Sequence, residues 1–65
     1  MNKKIYDAMV KYMNDNNMRR CYDDYKGWSA MIGIDVSAQR LGRMYKEGMV
    51  MRHKDNGVYC YQPIR

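Results

Sequence analysis

Val36, Ser37, Gln39, Arg40, Arg43 and Lys46 fall close together in this sequence, and their side chains suit recognition of a polyanion better than bond making. An arginine can donate two bonds to one guanine edge, a glutamine can pair with adenine, a valine can touch a thymine methyl, and a serine can bond a phosphate. A second group, Arg52, His53, Lys54 and Asn56, follows within a few residues, and the pair Arg19-Arg20 stands apart from both. Enzyme chemistry has no comparable set. The single histidine is His53, the carboxylates are scattered over caps and turns, and no nucleophile, base and orienter can be assembled, so no catalysis is expected. His53 and Cys60 supply two of the four ligands that a structural zinc requires, with no others near them, and neither metal nor other cofactor is expected. Cys21 and Cys60 lack the C-x-x-C spacing and are read as reduced structural thiols.

The charge of the chain is placed unevenly. Twelve Lys and Arg stand against seven Asp and Glu, a net +5. Residues 1 to 35 hold six basic and five acidic side chains, a balance of +1, whereas residues 36 to 65 hold six basic and two acidic, a balance of +4. A local excess of this kind is the footprint expected where phosphates are neutralised. At 65 residues the chain makes one domain, 1-65. A domain of that size buries only about 60% of the surface its unfolded form exposes, which leaves little volume for a deep catalytic cavity. Eight Met, seven Tyr, one Trp and no Phe predict a core of flexible thioethers and of rings whose hydroxyls need partners. No apolar run approaches the ~20 residues of a membrane span, and Met1-Asn2-Lys3-Lys4 leads into an amphipathic pattern, so a cytoplasmic location is expected, the host cytoplasm if the protein is viral.

These side chains must be positioned by short elements. Ile5, Ala8, Met9, Tyr12 and Met13 recur at helical spacing, predicting a first helix over residues 2 to 14, stopped by Asn14-Asp15-Asn16-Asn17. Met18 to Tyr22 alternates weakly and is too short to judge by period, though it could add a minor strand beside a hairpin. Asp23 or Asp24 can cap a second helix whose inner side holds Tyr25, Trp28 and Ile32, with Met31 flanking. Gly27 inside it implies either a short helix or something packed close to that backbone. Gly33 closes helix two, and Asp35 is expected to cap a third helix over about 36-47, with Ala38, Leu41 and Tyr45 on its core side and Gly42 and Met44 at the margins. Two helices so closely spaced form a helix-turn-helix. After Gly48, two β-prone runs flank Asn56-Gly57, the sequence of a type I′ hairpin; a two-residue loop there pairs Lys54 with Tyr59, Arg52 with Tyr61 and His53 with Cys60, a three-residue loop would shift this register, and Pro63 ends the ladder.

The order helix, minor strand, helix, tight turn, helix, β-hairpin resembles the winged helix-turn-helix fold of small phage, viral, bacterial and archaeal DNA-binding proteins. The stretch from Ile32 to Val50 carries the likeness most clearly: a Gly-apolar turn at Gly33-Ile34, a cap, a basic amphipathic helix, and an acidic-Gly-apolar-apolar exit at Glu47-Gly48-Met49-Val50 into the wing. Two features depart from the family pattern, Gly42 within helix three and a long polar segment before helix two.

The resemblance implies an α+β fold and a stand-alone transcriptional regulator that binds duplex DNA. Val36, Gln39, Arg40 and Arg43 would face bases in the major groove. Ser37, Lys46, Arg52, His53, Lys54 and Asn56, with Arg19 and Arg20 at the flank, would meet the backbone or minor groove. Tyr25 and Trp28 are read as core, because they recur with Ile32 at helical spacing. A homodimer through helix one would use whichever of Tyr6, Met9, Val10 and Met13 stay exposed. The competing reading is a winged-helix protein-protein module, for example a phage-type inhibitor of a host protein. Single-stranded nucleic acid on the Tyr-bearing hairpin carries less weight, because two strands make a narrow platform.

Overall fold

The computed structural model describes all residues from Met1 to Arg65. Helix α1 spans Asn2–Asp15, and its stripe buries Ile5, Met9 and Met13. Helix α2, Tyr25–Ile32, begins where the Asp24 carboxylate accepts the Gly27 N–H at 2.8 Å, so the second of the two aspartates is the cap. Asp23 has a different use. Its carboxylate accepts the Asp24 N–H at 2.8 Å and lies over Gly27, where an added Cβ would stand 2.2 Å from the Asp23 Cγ. Close packing therefore accounts for a glycine inside this helix. Gly33, at φ 70°, ends α2 in the left-handed conformation that glycine adopts without a steric penalty.

Helix α3 spans Ala38–Lys46 and starts later than the sequence suggests. Ser37, not Asp35, is its cap, with the hydroxyl accepting the Arg40 N–H at 3.0 Å. The α2–α3 connection therefore runs over residues 33–37, and its anchor is Ser29. The Ser29 hydroxyl accepts the Val36 N–H at 2.9 Å and lies within donor reach of the Val36 carbonyl at 3.1 Å and the Tyr25 carbonyl at 2.8 Å.

Strands β1, Val50–Asp55, and β2, Val58–Pro63, pair antiparallel in the register expected for a two-residue loop, Lys54 opposite Tyr59 and Arg52 opposite Tyr61. Asn56 and Gly57 both have positive φ, 51° and 81°, as a type I′ turn requires. The minor strand expected over Met18 to Tyr22 is reduced to one bridge a residue later: Asp23 donates to the Tyr61 carbonyl at 3.2 Å and accepts from the Tyr61 N–H at 2.8 Å. The same carbonyl accepts the buried Trp28 Nε1–H at 2.7 Å, which locks α2 to β2.

The core is Ile5, Met9, Met13, Trp28, Val36, Leu41, Met44, Val50 and Tyr61, with Tyr12 edge-on to Trp28. Three expectations about packing are corrected. Met44 rather than Tyr45 joins Leu41 inside, and Tyr45 is 41% exposed. Ala38 is also exposed, because the core side of so short a helix is set by its two largest aliphatic residues. Tyr25, at the first turn of α2, lies outside as well. Three helices followed by an antiparallel hairpin make an α+β fold with the architecture of a winged helix. No helix is long and apolar enough to cross a membrane.

Candidate nucleic-acid interface

With Leu41 and Met44 turned inward, the outer face of α3 is the stripe Gln39, Gly42, Arg43 and Lys46. Together with Arg52 from β1 these residues line a cleft of about 360 Å³. The Arg52 guanidinium lies between two rings, 4.0 Å from the centroid of Tyr45 and 4.2 Å from that of Tyr59. Rings this close hold the guanidinium by cation–π attraction. Lys54 extends the row, its Nζ 5.0 Å from the Tyr59 centroid. A neighbouring cleft of about 510 Å³ is mainly apolar, with Tyr25, Tyr59, Tyr61 and Val58 in its lining beside Ala38 and Gly42.

The two ion pairs of the chain, Lys3 with Asp7 and Lys11 with Asp15, both lie on α1. Arg43, Lys46, Arg52 and Lys54 have no carboxylate within salt-bridge reach, so their charge is available to an external anion. Arg43 and Lys46 also lie in the last turn of α3, where cations complement the helix dipole.

The expected contact residues separate into several groups. Gln39, Arg43, Lys46, Arg52 and Lys54 share the α3–hairpin surface. Val36 does not: it is 2% exposed and part of the core, so it cannot reach a base, because the helix begins two residues beyond it. Arg40 is turned toward α1, donating to the Asn2 amide oxygen at 2.9 Å while Asn2 in turn donates to Glu47 at 2.8 Å. Ser37 is exposed, but its hydroxyl is engaged as the α3 cap. His53 alternates to the other face of the hairpin, where its ring lies 4.3 Å from Tyr22. Asn56 forms the tip of the turn. Arg19 lines a separate cleft beside Arg65, which donates to Asn14 and to the Met18 carbonyl, and Arg20 is exposed nearby. Sequence reasoning missed Tyr25 and Tyr45 as surface residues. Their positions in the first turn of α2 and the last turn of α3 were the available signal.

Elsewhere the chemistry is quiet. Burial pushes the Cys21 thiol above its ordinary value, with the Asp23 carboxylate adding to the shift. Burial does the same to Cys60, followed by Asp55, Asp24 and Asp23. No three His, Cys, Asp or Glu side chains gather closely enough to hold a metal ion. Of the α1 stripe, Met9 and Met13 are fully buried, while Tyr6 and Val10 remain partly exposed. No protein-family model, curated protein or solved structure matches this chain.

Proposed function

We propose that this chain binds duplex DNA as a small cytoplasmic transcriptional regulator of the phage, viral or bacterial stand-alone kind. Helix α3 enters the major groove with Gln39 toward base edges and Arg43 toward a base edge and its flanking phosphate, and Lys46, Arg52 and Lys54 take phosphates. The observation that supports this reading is the gathering of Arg43, Lys46 and Arg52 around one cleft with no carboxylate partner. One module of this kind covers roughly 600–1,000 Å² of contact, so an operator of useful length calls for two copies or cooperative neighbours. Pairing through α1 would draw on Tyr6 and Val10.

The test is binding to a generic labelled duplex at several salt concentrations, with Arg43→Ala alongside the unsubstituted chain. The expected result is tight binding at low salt that weakens steeply as salt rises, with a shallower slope for the variant. Absence of affinity at low salt sinks the proposal. A protein-binding module is favoured by a different observation, the exposure of Met51 and Val58 on the hairpin. In that case Met51→Ser and Val58→Ser abolish function, and Arg43→Ala leaves it intact.

A further inference from the structure

The aromatic cleft and the cationic cleft are not separate features. They share Gln39, Gly42 and Arg52, so one continuous crease runs between α3 and the hairpin, apolar and aromatic at one end and positive at the other. An occupant that matches both ends carries a flat aromatic group joined to an anion. We infer that the crease takes one unpaired nucleotide of a DNA strand, its base against the exposed rings of Tyr25 and Tyr59 and its phosphates on the bordering cations. The inference rests on the reading of this surface as the one that faces DNA.

Three observations carry it. Arg52 lines both clefts, and the Tyr45 and Tyr59 rings, 4.0 and 4.2 Å from it, hold its guanidinium beside them by cation–π attraction. Gly42 lines both clefts, and an added Cβ there would meet nothing nearer than the Tyr61 hydroxyl at 3.9 Å. The fold therefore does not require glycine at a position where glycine weakens the helix, and its effect is to keep the crease open. Finally, cations border the aromatic walls at several points: Arg43 and Lys46 along α3, Lys54 5.0 Å from the Tyr59 centroid, and Lys26 5.9 Å from that of Tyr25. A free mononucleotide has one charged pole, whereas a nucleotide within a strand carries phosphate on both sides, and the spread of cations matches the strand. The narrow platform of a two-stranded hairpin is widened here by Tyr25 and by α3. Every base offers a π-face to such rings, and the Gln39 amide and the tyrosine hydroxyls can bond a base edge.

The experiment compares the affinity of the full chain for a labelled, fully paired duplex with that for the same duplex carrying one extra, bulged adenine. The bulged duplex is expected to bind about tenfold more tightly, the order of one base stacked on an aromatic side chain. Tyr25→Ala removes a wall and Ala38→Leu fills the floor from an exposed position. Each is expected to abolish the preference, Tyr25→Ala with paired-duplex affinity unchanged, and Tyr25→Phe, which keeps the ring, to retain it. Circular dichroism of each variant confirms that the fold persists. Equal affinity for bulged and paired DNA overturns the inference, as does a preference that survives both Tyr25→Ala and Ala38→Leu. Displacement of the bulged duplex by deoxyadenosine monophosphate, or by a phosphotyrosine peptide, at a concentration comparable to the duplex's own dissociation constant overturns it too. Failure of the groove-binding proposal reads differently, as loss of paired-duplex binding with bulged-duplex binding retained.

Discussion

Arg40 and Arg43 are one helical turn apart on α3 and have opposite surroundings. The first is held by Asn2 at 2.9 Å, the second is exposed on the cationic cleft. If α3 faces DNA, the two must differ on substitution. Arg43→Ala is expected to weaken duplex binding by about 1–3 kcal/mol if it reads a base, and to lower the salt slope by about one if it meets a phosphate. Arg40→Ala is expected to leave affinity nearly unchanged and to cost stability of order 1 kcal/mol through the lost bond to α1. Titrations of both variants against one duplex, with thermal melts, check the pair, and equal losses of affinity would contradict this division of roles. Cys21 permits a prediction in pH. Its thiol is raised by burial first and by Asp23 second, so the folded chain holds that proton more tightly than the unfolded one. The contribution to stability is fully present below the thiol's ordinary value of about 8.5 and is lost as pH rises through the raised folded value. Cys21→Ala is expected to flatten the alkaline fall in melting temperature relative to the unsubstituted chain.

At the scale of elements, the presentation of α3 depends on a residue outside it. Ser29 sits in the middle of α2, yet its hydroxyl accepts the Val36 N–H at 2.9 Å and so fixes the turn that delivers α3. Ser29→Ala leaves that N–H without a partner and is expected to cost about 1–2 kcal/mol. In a domain of this size each kcal/mol lowers the melting temperature by about 4–8 °C, which calorimetry resolves. Ser29→Thr, which keeps the hydroxyl, is expected to recover part of the loss. This contact shows where sequence reading stopped. Interactions encoded locally were legible: the Ile5, Met9, Met13 stripe placed α1, and Asn56-Gly57 set a hairpin whose register matches residue for residue. Interactions between elements were not. Asp35 and Ser37 are both acceptable caps, and the choice falls to Ser37 because Val36, tied to Ser29 and buried, lies before the helix. That two-residue delay removed Val36 from the expected contact surface. Arg40 was lost from it for an equally distant cause, since its partner Asn2 lies 38 positions away along the chain. The tyrosines show the same limit: helical spacing assigned Tyr25 and Tyr45 to the core, but both are exposed beside the hairpin, Tyr25 lining a cleft with Tyr59 and Tyr45 packing against Arg52 at 4.0 Å.

At the scale of the whole molecule, if the chain binds DNA, charge and size together set how that binding responds to salt. The protein measures 29 × 25 × 20 Å, shorter in its longest dimension than the ~34 Å between successive turns of one DNA groove, so a single copy spans less than one turn. Within that reach four unpaired cations lie on the α3–hairpin surface, Arg43, Lys46, Arg52 and Lys54. If each neutralises one phosphate, the logarithm of affinity falls with the logarithm of salt at a slope of about −3.6, and raising salt from about 50 to about 200 mM weakens binding roughly a hundredfold. Arg19, Arg20 and Arg65 lie on or near a different cleft and are not expected to add to the slope. Two copies engaging adjacent half-sites together would double it to about −7, which makes the slope a measure of stoichiometry as well as of charge. A titration series on a duplex long enough for one copy, repeated on one long enough for two, therefore separates independent from joint binding. Slopes of about −3.6 on both duplexes mean that copies bind independently, whereas a doubling on the longer duplex identifies a cooperative pair. A slope near zero on either removes the phosphate contacts from the mechanism.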